Sequence, residues 1–168
     1  MKEVSVQVAD FDVGTEIAAL SAADPMAGAV ASFVGLVRAD KLAEQKAGSG
    51  ETASQPERPA AVTAMTLEHY PGMTEQALAD IVAAAQKRWE LRTVRVIHRV
   101  GRLLPGERIV FVGVSSAHRG DAFAACEFIM DYLKTQAPFW KKEETPEGGR
   151  WVDARTTDDL AAKRWQPD

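Results

Sequence analysis

The residues best suited to chemistry in this chain are cations at the expected ends of secondary-structure elements. Arg38 follows an apolar, β-rich run and opens a polar stretch. His118 and Arg119 stand between an expected strand and an expected helix, and Lys134 falls in the last turn of that helix. Lys141 and Lys142 follow the proline that stops it, and Arg150 and Arg155 lie further along. In open α/β sheets ligands gather at the carboxyl ends of strands, and a helix N-terminus adds free amides and a favourable dipole for an anion. A His-Arg pair at such a junction suits an anion. Lysines beside other cations shift toward neutrality and can then move protons or act as nucleophiles. Each feature also has a plainer reading. The helix dipole alone favours a lysine in a last turn, a Lys-Lys pair is usually a solvated surface, and Arg119 can pair with a nearby carboxylate. The residues by themselves leave the anion-handling and structural readings both open.

Other chemistries lack their residues. There is no G-x-S-x-G, no P-loop, no G-x-G-x-x-G after a strand and no H-E-x-x-H. His69, His98 and His118 lie far apart without metal-ligand spacing, and no metal site is expected. His69, before Tyr70-Pro71-Gly72, reads as a turn or packing residue, and His98 as a satisfied strand residue. The single cysteine, Cys126, can form neither an internal disulfide nor a four-thiolate zinc site and reads as buried and inert. Trp140, Trp151 and Trp165 read as core or interface anchors.

The 168 residues are expected to form a single domain of ordinary globular composition, 46% hydrophobic and 26% charged. A net charge of −4 argues against non-specific nucleic-acid binding, which needs a basic face. Met1–Asp10 alternates polar and apolar residues and lacks the apolar centre of a signal peptide. No apolar run approaches the ~18 residues of a membrane span. A cytoplasmic protein is expected.

The elements that must position the cations follow from periodicity. Val4–Val8 alternates as a strand, Val13–Ala23 reads as a helix closed by Asp24-Pro25, and Gly28–Arg38 reads as a central strand. The stretch 39–60 is rich in Ala, Gly, Ser, Glu, Gln and Pro, with Leu42 its single large aliphatic residue, and is expected to be a mobile loop. Ala61–Tyr70 reads as a strand, Thr74 as the N-cap of a helix over Glu75–Trp89, Thr93–Val100 as a strand, and Leu104-Pro105-Gly106-Glu107 as a turn. Arg108–Ser115 is an interior strand, and Asp121 is the expected N-cap of a helix running to Ala137, where Pro138 ends it. Phe139–Trp165 reads as irregular, with a turn at Gly148-Gly149. The order β-α-β-β-α-β-β-α implies helices on a mixed sheet.

Longer motifs narrow the function. Thr66-Leu67-Glu68-His69-Tyr70-Pro71-Gly72-Met73-Thr74 resembles a signature of the large, catalytic subunits of molybdopterin synthase. So do His98-Arg99-Val100-Gly101 with Leu104-Pro105-Gly106-Glu107, and Val112-Gly113-Val114-Ser115-Ser116-Ala117-His118-Arg119. The most specific match is Met130-Asp131-Tyr132-Leu133-Lys134-Thr135-Gln136-Ala137-Pro138-Phe139-Trp140-Lys141-Lys142-Glu143, continued by Gly149-Arg150-Trp151-Val152. The likeness runs from about Gly28 to Trp165, with a gap at the 39–60 stretch. Gln136 stands where relatives often carry a basic residue, and that stretch is longer than the family would suggest.

The resemblance implies an α+β fold of the α/β hammerhead kind, with a mixed sheet, flanking helices and a small antiparallel subdomain. It implies conversion of cyclic pyranopterin monophosphate to molybdopterin, with no metal or organic cofactor required. Sulfur would arrive on the C-terminal Gly-Gly thiocarboxylate of a small ubiquitin-like carrier subunit, one docked at each end of a central homodimer in a heterotetramer. Carried over residue by residue, it makes Lys134 and Lys141 catalytic. Substrate contacts would come from Leu36, Val37 and Arg38, from His118 and Arg119, from Lys134, Lys141, Lys142 and Glu143, and from Arg155. Some of these would reach the site from the neighbouring protomer, and Phe33, Met130 and Phe139 would wall the channel for the carrier's tail. Three other classes fit the residues taken singly: a module that only captures a ubiquitin-like tail, a structural homo-oligomer anchored by tryptophans, and a lysine Schiff-base enzyme.

Overall fold

The computed structural model describes residues 2–39, 62–152 and 156–166. The elements are β1 (Val4–Gln7), α1 (Val13–Ala22), β2 (Ala29–Leu36), β3 (Ala64–His69), α2 (Met73–Arg88) and β4 (Leu91–Arg99), then β5 (Gly101–Leu103), β6 (Arg108–Ser116), α3 (Arg119–Gln136), β7 (Phe139–Thr145), β8 (Gly148–Val152) and α4 (Thr156–Lys163). They make an α+β fold with two four-stranded sheets, ordered β1-β4-β6-β2 and β5-β3-β7-β8. The first sheet is mixed, because β1 runs parallel to β4 while β4, β6 and β2 pair antiparallel. The second is antiparallel throughout.

The first sheet is covered on both faces, which is why interior β6 reads as a nearly continuous apolar run rather than an alternating one. On one face α2 and α3 bury Leu78, Ile81, Val82, Phe128, Ile129 and Leu133 against Val94, Val96, Val112 and Val114. On the other, α1 lays Leu20 against Phe11, Ile97 and Phe111. Gly113 is required there: a Cβ at this position would overlap Leu20 Cδ1 and lie 2.7 Å from the Phe111 ring. Buried Arg95 ties α1 and β1 to β4, donating to Glu16 at 3.0 Å, to Ser5 Oγ at 2.8 Å and to the carbonyl of Lys2 at 2.8 Å.

The chain passes from the first sheet to the second between β4 and β5, where Gly101 takes φ +87°, a conformation costly for any residue with a Cβ. Val37, Met65, Leu67 and Leu103 form a small core under the second sheet, and Ile109 packs against both this core and the main one. Ile109 therefore links the cores of the two sheets.

Several boundaries depart from the sequence reading. α2 starts earlier than expected, with Gly72 rather than Thr74 as its N-cap. Thr74 is fully buried instead, with its hydroxyl accepting from Tyr70 N at 3.1 Å and donating to the Pro138 carbonyl at 3.1 Å. Glu75 Oε2 accepts from Gly72 N at 2.7 Å and so satisfies the helix entry. α3 is capped by His118 and not Asp121, which lies in the first turn, where its charge suits the dipole. The expected irregular tail is in fact β7, β8 and α4. The 39–60 stretch lies outside the described residues except for Ala39, whose carbonyl accepts from Val62 N at 2.8 Å.

Candidate active site

Between the sheets lies a cleft of about 720 Å³. Its walls come from the end of β2, from β3, from the last turns of α3, from β7 and from α4. Two local features place the catalytic candidates. Pro138 ends α3 one turn after Lys134, so the chain reverses there into β7. Strand alternation then sends Phe139, Lys141 and Glu143 to the cleft face, leaving Trp140, Lys142 and Glu144 on the other. Lys134 and Lys141, from a helix end and a strand, thus line one cleft together with Arg38.

The electrostatics are those of cations held by partial counter-charges. Lys134 Nζ lies 3.7 Å from Asp158 Oδ1 and is about half exposed. Lys141 Nζ lies 3.7 Å from Oε1 of Glu143, a carboxylate only 2% exposed as a residue. Arg150 donates to the other oxygen of Glu143 at 3.3 Å. Among the described residues three cations and two carboxylates therefore line the cleft, a positive balance. Such a site holds anions in fixed geometry, with ammonium groups placed to give and take protons. Among the described residues no group of three or more His, Cys, Asp or Glu could hold a metal ion.

The structure treats the other predicted site residues differently. Leu36 lines the cleft beside Arg38, whereas Val37 points into the small core and is 2% exposed. Lys142 lies 5.7 Å over the Trp151 ring on the far face of the second sheet. His118 and Arg119 are exposed at the N-terminus of α3 and line no part of the cleft. The helix rise between Arg119 and Lys134 separates them by roughly 22 Å. Arg155 lies outside the described residues. Phe33, Met130 and Phe139 all line the cleft, and Phe33 and Met130 continue into a shallower groove of about 410 Å³ beside Phe123 and Cys126.

Two titratable cleft residues were not expected at the site from the sequence. Asp158 is brought in by α4, which docks on α3 where Arg164 pairs with Glu127 and Asp131, each at 2.6 Å, and Trp165 Nε1 donates to Asp131 at 2.7 Å. No local motif marks it. His98, read as an ordinary strand residue, also lines the cleft. It is 5% exposed and stacks on Phe139 with ring centroids 3.7 Å apart. Burial pushes its imidazole down to about 4, so the ring is neutral near pH 7. Cys126 matches its expected character: burial pushes the thiol up to about 11.

The chain matches the family model for the MoaE protein over residues 6–136. It is 59% identical over 165 residues to the molybdopterin synthase catalytic subunit of Ralstonia nicotianae, covering 98% of this chain and 85% of that one. Among solved structures it is similar to the molybdopterin biosynthesis MoaE protein from Burkholderia ambifaria, with a TM-score of 0.77 and 53% identity over 98% of each chain. It is also similar to molybdopterin synthase from Staphylococcus aureus, with a TM-score of 0.75 and 25% identity over 91% of this chain and 98% of that one. With its long motifs, its two-sheet fold and its lysine-lined cleft, the chain belongs to the family of molybdopterin synthase catalytic subunits.

Proposed function

We propose that this chain converts cyclic pyranopterin monophosphate to molybdopterin, taking two sulfur atoms from the C-terminal thiocarboxylate of a small ubiquitin-like carrier subunit. The observation that carries this reading is the meeting of Lys134 and Lys141 in one cleft with Arg38. The substrate bears a cyclic phosphate and the donor an anionic thiocarboxylate. Bringing two anions together needs cations fixed beforehand, which is electrostatic preorganisation. Lys134, next to the shallower groove, stands beside the incoming thiocarboxylate. Lys141, held by Glu143, assists proton transfer at the pterin side chain as sulfur adds and oxygen leaves. Phe33 and Met130 wall the path of the carrier's Gly-Gly tail, whose lack of side chains suits a narrow apolar channel.

His118 and Arg119 fit this reading as phosphate contacts supplied by a second copy of the chain. A central homodimer with one carrier at each end is the assembly that reading implies. Arg155 would add a further cation.

The test mixes purified chain with thiocarboxylated carrier and cyclic pterin phosphate, and follows dithiolene-pterin formation for the native chain, Lys134→Ala and Lys141→Ala. Product from the native chain, with a large loss in either variant that still binds the carrier, is the expected result. A well-folded native chain that binds its carrier and yields no product would leave a tail-capturing module as the better account.

A further inference from the structure

A pterin ring presents N–H donors as well as acceptors, and among the described residues few uncharged lining side chains can receive them. Arg38, Lys134 and Lys141 only donate. Of the two carboxylates, Asp158 lies against Lys134, and Glu143 lies against Lys141 and Arg150. The thioethers of Met65 and Met130 are weak acceptors. Among the described residues His98 is the uncharged lining side chain with a nitrogen lone pair to offer.

The surroundings of His98 settle its tautomer. Nδ1 lies 2.8 Å from the carbonyl oxygen of Arg99, which can only accept, so Nδ1 carries the proton and Nε2 the lone pair. The ring is fixed in plane by its near-parallel stack on Phe139, 18° from coplanar. That stack joins β4 of the first sheet to the start of β7 in the second, two residues before Lys141. A neutral acceptor suits this place. A third carboxylate here would pair with the cleft's lysines and quench the charges the reaction uses, whereas a neutral imidazole leaves them in force.

Resting on the synthase reading above, we propose that His98 is the specificity-determining acceptor of the cleft, its Nε2 receiving a hydrogen bond from an N–H of the pterin ring. The low basicity that burial gives the ring keeps this lone pair available at neutral pH. The same contact selects for pterin-like heterocycles, because an analogue without the N–H leaves a buried acceptor unmet.

The test compares steady-state turnover of the native chain, His98→Phe and His98→Gln, each loaded with thiocarboxylated carrier, with carrier affinity measured in parallel. Phenylalanine keeps the stack and removes the lone pair; glutamine places an amide oxygen near the Nε2 position. The expected result for His98→Phe is a KM for the cyclic pterin phosphate raised roughly ten- to a hundredfold, with kcat and carrier affinity little changed. His98→Gln is expected to recover most of the KM. A His98→Phe chain with native KM overturns the assignment, and so does a His98→Gln chain no better than the phenylalanine variant. If His98→Phe does not unfold cooperatively, His98→Leu replaces it under the same criteria. A native chain that makes no product overturns the synthase reading and this assignment together, whereas a productive native chain with an indifferent variant overturns the assignment alone.

Discussion

Lowering the pH from about 7 to about 4.5 is expected to remove roughly 2 kcal/mol of folding stability through His98 alone. Burial holds this imidazole down from 6.5 to about 4. The unfolded chain therefore binds a proton here below about pH 6.5, and the folded chain binds one only near pH 4. The contribution is complete above the unfolded value and is lost as the pH falls from 6.5 toward 4. The full window corresponds to about 3 kcal/mol, most of which is reached by about pH 4.5. The lowered carboxylates act at the bottom of that window and below it. A hydrogen bond from Arg108 holds Asp10 down to about 2, so its contribution is lost between the ordinary 3.8 and that value. Hydrogen bonding to Thr15 lowers Asp12, and the hydrogen bond from Arg102 lowers Glu144. What little these carboxylates contribute at about pH 4.5 is common to native and variant chains. Urea unfolding followed by tryptophan fluorescence, at both pH values, for the native chain and for His98→Phe isolates the term. The native chain is expected to lose about 2 kcal/mol more than the variant across the interval. Equal losses in the two chains would refute a buried neutral histidine at this place.

Four further outcomes are expected. Gly113→Ala forces a methyl group against Leu20 and the Phe111 ring and is expected to cost about 1–3 kcal/mol, lowering the melting temperature by roughly 3–10 °C; an unchanged thermal transition counts against the tight seat of α1 on β6. Asp131→Asn weakens the bonds from Arg164 and Trp165 that dock α4, by about 1–2 kcal/mol, and hydrogen exchange is expected to rise in residues 156–166 while β4 and β6 stay protected. The Cys126 thiol, buried and raised to about 11, is expected to react with a thiol reagent at mildly alkaline pH only slowly until urea is added, so rapid labelling of the folded chain would contradict its place under β6. If a second copy supplies His118 and Arg119, inactive Lys134→Ala and Arg119→Ala chains allowed to exchange subunits are expected to regain up to about a quarter of native activity, since half the dimers then carry one intact site; no recovery despite exchange would confine the site to one chain.

Up to the end of α3 the order of the larger elements was legible because their residues obey one period each. β6 is an unbroken apolar run because β4 and β2 flank it and helices cover both faces. α2 repeats Leu78, Ile81, Val82 and Ala85 on one side. β5, only three residues long, is too short to show a period. β7 was hidden by its charges: its inward set is Phe139, Lys141 and Glu143 and its outward set Trp140, Lys142 and Glu144, so polar residues occupy the face that a pattern reading expects to be apolar. β8, Gly148–Val152, is mostly exposed and carries two glycines, so neither face is marked. One of the strands that its pattern hides is thus the one that delivers Lys141 to the cleft.

The site shows the same division between local and long-range information. Lys134 and Lys141 were legible because the proline break and the motif around it are contiguous. Asp158 was not, since its role depends on α4 folding back onto α3 through Arg164 and Trp165, contacts made over some thirty residues of chain. The rule that anions bind at helix N-termini drew attention to His118 and Arg119, yet the cleft of this chain lies at the other end of α3. The helix connects the two cationic groups in sequence and holds them apart in space. His98 was passed over because a buried histidine in an apolar strand is ordinarily a packing residue. What changes its meaning is Phe139, forty-one residues later, which stacks on it from the second sheet and places it in the wall of the cleft. A residue's chemistry here depends on which sheet it faces across the gap, and that pairing is set by the crossing at Gly101 and the reversal at Pro138 rather than by any pattern within β4.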